Sequence, residues 1–93
     1  MRIVFKDEAF GEVKEISIII VINNRVLTRK MVRTGNCWLI DMDIPDGEHM
    51  YKYVINDSLR FNDKDAYKYV RWKDGEVWSV LKAEGGQVGQ QAV

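Results

Sequence analysis

Reactive chemistry in this sequence would have to come from very few side chains. His49 is the single histidine, so it is the one base able to titrate near neutrality beside a nucleophile. On a strand it shares a face with Tyr51 and Tyr53, and it reads as a structural or surface-exposed ring rather than a catalytic base. Cys37 precedes Trp38 and has no histidine or second cysteine nearby, which argues against a zinc site or a redox pair. Asp57, Asn62, Asp63 and Asp65 are oxygen ligands close together, but they lack the spacing of a calcium loop and read as turn-forming residues. No glycine-rich loop joins a strand to a helix to cradle a phosphate. The expectation is a chain without catalytic residues, metal ligands or a cofactor.

Composition narrows the partners. The 93 residues suffice for one small domain with one core, and 46% hydrophobic residues are enough to fold it. Lys+Arg and Asp+Glu both number 14, so no net positive field holds phosphates, and neither nucleic acid nor an anionic membrane is expected as partner. The apolar run Ile16–Ile22 is far shorter than the ~20 residues of a membrane-spanning helix. A lone cysteine and an N-terminus without a secretory pattern predict a soluble, cytoplasmic protein.

The elements that must position any site are short strands. Six segments alternate or run apolar between turn residues: Arg2–Lys6, Glu15–Ile22, Val26–Val32, Cys37–Ile44, His49–Asn56 and Val77–Lys82. None is a helix long enough for a βαβ crossover, so the spacing predicts an all-β fold, a small antiparallel sandwich of about seven strands. Trp38, Ile40, Met42 and Ile44 share one strand face and predict an inward Trp38. Pro45-Asp46-Gly47 supplies the φ preferences of a hairpin turn into the strand of Tyr51 and Tyr53. If those tyrosines are core, Lys52 is displayed on the other face. The domain is expected over residues 1–84, with 85–93 a flexible tail.

With these strands placed, the sequence resembles an isoamylase-type early-set domain, the glycogen-binding class called carbohydrate-binding module family 48, which includes the beta subunits of AMP-activated protein kinase. The likeness rests on VKEISIIIVINN at Val13–Asn24, on CWLIDMDIPDGEHMYKYVIND at Cys37–Asp57 and on NDKDAYKY at Asn62–Tyr69. The middle segment carries most of it, through Trp38, Pro45, Gly47, Tyr51, Lys52, Tyr53 and the Asn56-Asp57 turn. The resemblance implies an immunoglobulin-like sandwich of early-set type that binds α-1,4-linked glucose chains such as glycogen or starch and carries no chemistry of its own.

For the binding residues it implies the following. Lys52 matches the family's hydroxyl-binding lysine. Arg25 stands where the family has its first sugar-stacking tryptophan, and Leu59 or Arg60 where it has the second. Trp78 aligns with a glucan-contacting asparagine and alternates away from Val77, Ser79 and Leu81, so it serves either as a relocated stacking platform or as cover for Ile19 and Val21. Trp72 is a further candidate platform. Tyr67-Lys68-Tyr69 either helps to stack sugars or anchors a loop.

One feature points elsewhere. The run ISIIIVI is apolar on both faces, Ile16, Ile18, Ile20 and Ile22 on one and Ile19 and Val21 on the other. Either neighbouring side chains shield that second face, or Ile19, Val21, Met50, Val54 and Val80 form a surface for a homodimer or a separately encoded enzyme partner.

Overall fold

The computed structural model describes residues 2–6, 13–85 and 87–89. Its organising strand is β2, Ile16–Ile22, where β-branched side chains fill every position except Ser17 and all seven residues are buried. Branching at Cβ stiffens these side chains and suits them to a pleated surface. A strand buried on both faces has to lie inside a sheet, and β2 is hydrogen-bonded on both sides, to β3 (Arg25–Lys30) and to β6 (Gly47–Ile55).

Ten strands are present among the described residues, the others being β1 (Arg2–Lys6), β4 (Val32–Thr34), β5 (Cys37–Asp41), β7 (Leu59–Phe61), β8 (Lys68–Arg71), β9 (Val77–Glu84) and β10 (Gln87–Gly89). They make two antiparallel sheets. The small one runs β1-β5-β4; the large one runs β10-β9-β6-β2-β3, with β7 beside β6 and β8 beside β9. The core fills the space between them: Ile3, Phe5 and Trp38 from the small sheet meet Ile16, Ile18, Ile20, Tyr51, Tyr53 and Leu81 from the large. Phe5, Tyr53 and Phe61 stack at tilted and edge angles with centroids 4.9 to 5.5 Å apart. The fold is the expected all-β antiparallel sandwich, with inward Trp38, Tyr51 and Tyr53.

Three expectations about the chain path are corrected. Pro45-Asp46-Gly47 does not close a hairpin, because β5 pairs with β1 and β4 while β6 pairs with β2, β7 and β9. The turn carries the chain from one sheet to the other, with Gly47 at φ 125° and Ile44 buried in the crossing. The segment expected as one strand from Val26 to Val32 breaks at Met31, whose buried side chain and whose N–H, donated to the Ile16 carbonyl at 2.8 Å, mark where the chain leaves β3 for β4. Within the stretch read as a flexible tail, Gln87–Gly89 pair with Lys82–Glu84 as β10; residues 86 and 90–93 lie outside the described residues.

The tight turns follow from residue type. Asn23 and Asn24 take φ 52° and 63° in a two-residue connection from β2 to β3, a conformation in which asparagine is tolerated. Asn56 and Asp57 take φ 51° and 59° in the three-residue connection between β6 and β7, and the Asn56 carboxamide oxygen accepts the N–H groups of Lys14 and Glu15, pinning the start of β2.

Candidate functional site

The outer face of the large sheet, opposite the main core, carries the groups of interest. Direct cross-strand partners share a face, so the pairs Ile19 with Lys52, Met50 with Val80 and Val70 with Trp78 place these six together. Ile19, Val21 and Trp78 form a second buried cluster against which Met50, Val54, Val70 and Trp72 pack.

Trp78 lies at its centre, only 3% exposed. Trp72 meets it edge-on with centroids 5.5 Å apart and planes at 81°, and Trp72 itself remains half-buried. The Lys52 ammonium sits 4.9 Å from the Trp78 ring centre and 3.3 Å from a Glu76 carboxylate oxygen. An ammonium held over an indole face gains from the ring quadrupole, more so when shielded from water.

The connection from β8 to β9 builds the rim. The Gly75 N–H donates to the Trp72 carbonyl at 2.9 Å, and the Trp72 N–H donates to the Glu76 carbonyl at 3.0 Å. Gly75 adopts φ 84°, where a side chain would strain the backbone. This turn directs Asp74 onto Trp78, whose indole N–H donates to Oδ2 at 2.9 Å while Oδ1 accepts the Glu76 N–H at 2.9 Å. Partial desolvation pushes the Asp74 carboxyl up, but the Glu76 N–H, the Trp78 N–H and the Lys52 charge together outweigh it and hold the group below its ordinary value.

The sign of the pH dependence follows. A carboxylate depressed on folding stabilises above its unfolded value and loses that contribution as pH falls through the folded one. The NMR shift of the Trp78 indole proton is expected to follow an acid titration whose midpoint lies below the ordinary carboxyl value of 3.8. Asp74→Asn removes that acid titration; an indole titration persisting in the variant shows that another group is responsible.

Several site expectations are revised by this geometry. Lys52 is not displayed: its side chain is 8% exposed, because its aliphatic stem lies on the Ile19 face and its head reaches Glu76. Of its two expected roles Trp78 takes the second, the cover for Ile19 and Val21 rather than an open platform. The proposed interface is largely closed too, since Ile19, Val21 and Val80 are buried and Met50 and Val54 only half-exposed. Arg25 does not join Lys52, for it pairs with Ile22 and so shares the face of the main core, at the far edge of the sheet. Lys52, Trp72 and Trp78 are brought together, and Asp74 and Glu76 are members of the cluster that sequence reasoning missed. Their signal was the loop spacing: a five-residue connection whose carboxylates sit two and four residues beyond Trp72.

A second polar cluster lies beneath the large sheet. Buried Asp63 accepts the hydroxyls of Tyr51 at 2.7 Å and Tyr53 at 3.4 Å on Oδ2, and the Asp65 N–H at 2.9 Å on Oδ1. Its own N–H donates to Ser79 Oγ, Ser79 Oγ donates to Asn62, and the Tyr69 hydroxyl donates to the Asp63 carbonyl. This network ties the β7–β8 connection to the core tyrosines.

Among the described residues no group of histidine, cysteine or carboxylate side chains is arranged to hold a metal ion. His49 Nε2 lies 2.7 Å from the Pro45 carbonyl, and the Cys37 thiol donates to the neighbouring Asn36 side-chain oxygen at 3.6 Å. No helix of the described residues is long and apolar enough to cross a membrane. No protein-family model matches the chain, and no curated protein matches it.

Proposed function

We propose that the chain is a non-catalytic carbohydrate-binding module for α-1,4-glucans of glycogen or starch type, an early-set domain working in the cytoplasm beside a separate enzyme or regulator. The observation that carries the reading is the half-buried Trp72, edge-on against Trp78 and bordered by Lys73, Asp74 and Glu76. Sugar recognition needs a flat aromatic face for the apolar side of a glucose ring and a few polar groups for its hydroxyls. Trp72 supplies the face, and it is the platform in place of the covered Trp78. The Lys73 ammonium already lies 5.1 Å from the Trp72 ring centre, and in the bound state a glucose ring takes its place while Asp74 and Glu76 accept hydroxyls from the rim. Lys52 acts from underneath, holding Trp78 and Glu76 in position.

The test is a titration with maltoheptaose followed by tryptophan fluorescence and backbone amide shifts. Saturable shifts are expected at residues 72–76, and Trp72→Ala is expected to weaken binding at least about tenfold, ~1.4 kcal/mol. No response at millimolar sugar, or unchanged affinity in Trp72→Ala, overturns the reading.

A further inference from the structure

We infer that the free edge of β3 is a docking strand for an extended acidic segment of a partner protein. The six residues of β3 include Arg25, Arg29 and Lys30 and no acidic residue, although the whole chain is electrically neutral. Several of the acids are engaged elsewhere: Asp41 with Arg2, Glu48 with Lys68, Glu76 with Lys52, and Asp63 in its buried network. Along the edge, Arg29 donates to the neighbouring Thr28 carbonyl at 2.9 Å, and Lys30 meets Glu15 at 3.7 Å across an exposed gap. No carboxylate pairs with Arg25 or Arg29 among the described residues.

The backbone adds the second requirement. The two-residue Asn23-Asn24 turn makes Ile22 and Arg25 a hydrogen-bonded pair, so Arg25, Leu27 and Arg29 direct their amides at β2. Val26, Thr28 and Lys30 therefore present theirs outward, and among the described residues no strand pairs on that side. Val26 is 54% exposed beside these amides. An added strand would gain main-chain bonds from this edge and place its side chains against the flanking cations.

Charge selects the occupant. A second copy pairing through its own β3 would bring two strands of like net charge side by side, which disfavours a symmetric dimer through this edge. An acidic strand with β-branched residues at alternate positions suits both the arginines and Val26. The site lies at the opposite edge of the large sheet from Trp72, so sugar and peptide would bind independently, and the inference stands whether or not the glucan reading does.

The probe is a blocked heptapeptide, Glu-Ile-Asp-Val-Glu-Val-Asp, titrated at low salt against amide shifts and hydrogen exchange. Expected are saturable shifts with slowed exchange confined to Val26, Thr28 and Lys30, and a loss of at least about fivefold in affinity for Arg29→Glu. Thr28→Pro removes an outward N–H without touching the β2 ladder, so it should abolish binding while the remaining amide spectrum stays native. Binding unchanged in Thr28→Pro, no shift at millimolar peptide, or tighter binding of heparin without amide protection overturns the inference; the first and last would mark a diffuse polyanion surface, and the second an edge whose cations serve only to block pairing.

Discussion

Asp63→Ala is expected to destabilise the protein by about 2 to 4 kcal/mol, because buried hydrogen-bond donors lose an acceptor that water cannot replace. Two core phenols, Tyr51 and Tyr53, donate to this carboxylate, and the Asp65 N–H depends on it to close the turn at the start of the β7–β8 connection. A domain of this length holds roughly 5 to 14 kcal/mol in total, so the substitution removes a large share. In thermal melts it appears as a drop of about 10 to 25 °C. The origin of the loss is separable. If it comes from the tyrosine hydroxyls, the same substitution made in a Tyr51→Phe, Tyr53→Phe background costs about 1 to 2 kcal/mol less, since both sides of the interaction are then apolar. Equal costs in the two backgrounds would sink the account and assign the role of Asp63 to the turn alone.

Trp78→Ala is expected to cost about 3 to 5 kcal/mol in urea denaturation, the range for emptying a buried aromatic site. The indole covers Ile19 and Val21, contacts Trp72, underlies the Lys52 ammonium and donates to Asp74, so its removal opens the whole outer cluster. Trp72, half-buried at the margin, should cost about 1 kcal/mol or less on the same substitution, since truncation near the surface leaves less of a cavity. The contrast makes Trp72→Ala the informative variant for sugar binding and Trp78→Ala a stability variant. A loss below about 1 kcal/mol for Trp78→Ala would mean that the outer cluster is not a second core.

The sandwich was legible because strand patterning depends on local alternation, which survives in one dimension. The double apolar face of Ile16–Ile22 predicted a strand in need of cover on both sides, and the alternation of β6 put Tyr51 and Tyr53 on one face, which the fold buries. Pairing partners were less legible. Pro45-Asp46-Gly47 states that the chain turns, not which strand it turns toward, and the crossing between sheets is decided by where Ile44 can be buried. Strands β7 and β8 escaped notice because each has three or four residues and too short an alternation to stand out. Lys52 misled because period-two reasoning places a residue on a face without saying what covers that face. Asp63 read as a turn residue, which it is, but its larger role depends on Tyr51 and Tyr53, twelve and ten positions back and oriented toward it only by the fold.

The placement of β2 at the centre of the large sheet has a consequence for synthesis. As the chain leaves the ribosome, the Asn23-Asn24 turn lets β3 fold back on β2 at once, capping one flank of the most apolar strand. The other flank waits for its partner, since Ile16 pairs with Ile55 and Ile20 with Tyr51. At translation rates of about 5 to 20 residues per second, that wait lasts on the order of seconds. During this interval a nascent chain bears an unpaired, isoleucine-rich strand margin, the kind of surface that trigger-type holding chaperones shelter and that crowded polysomes bring into mutual contact.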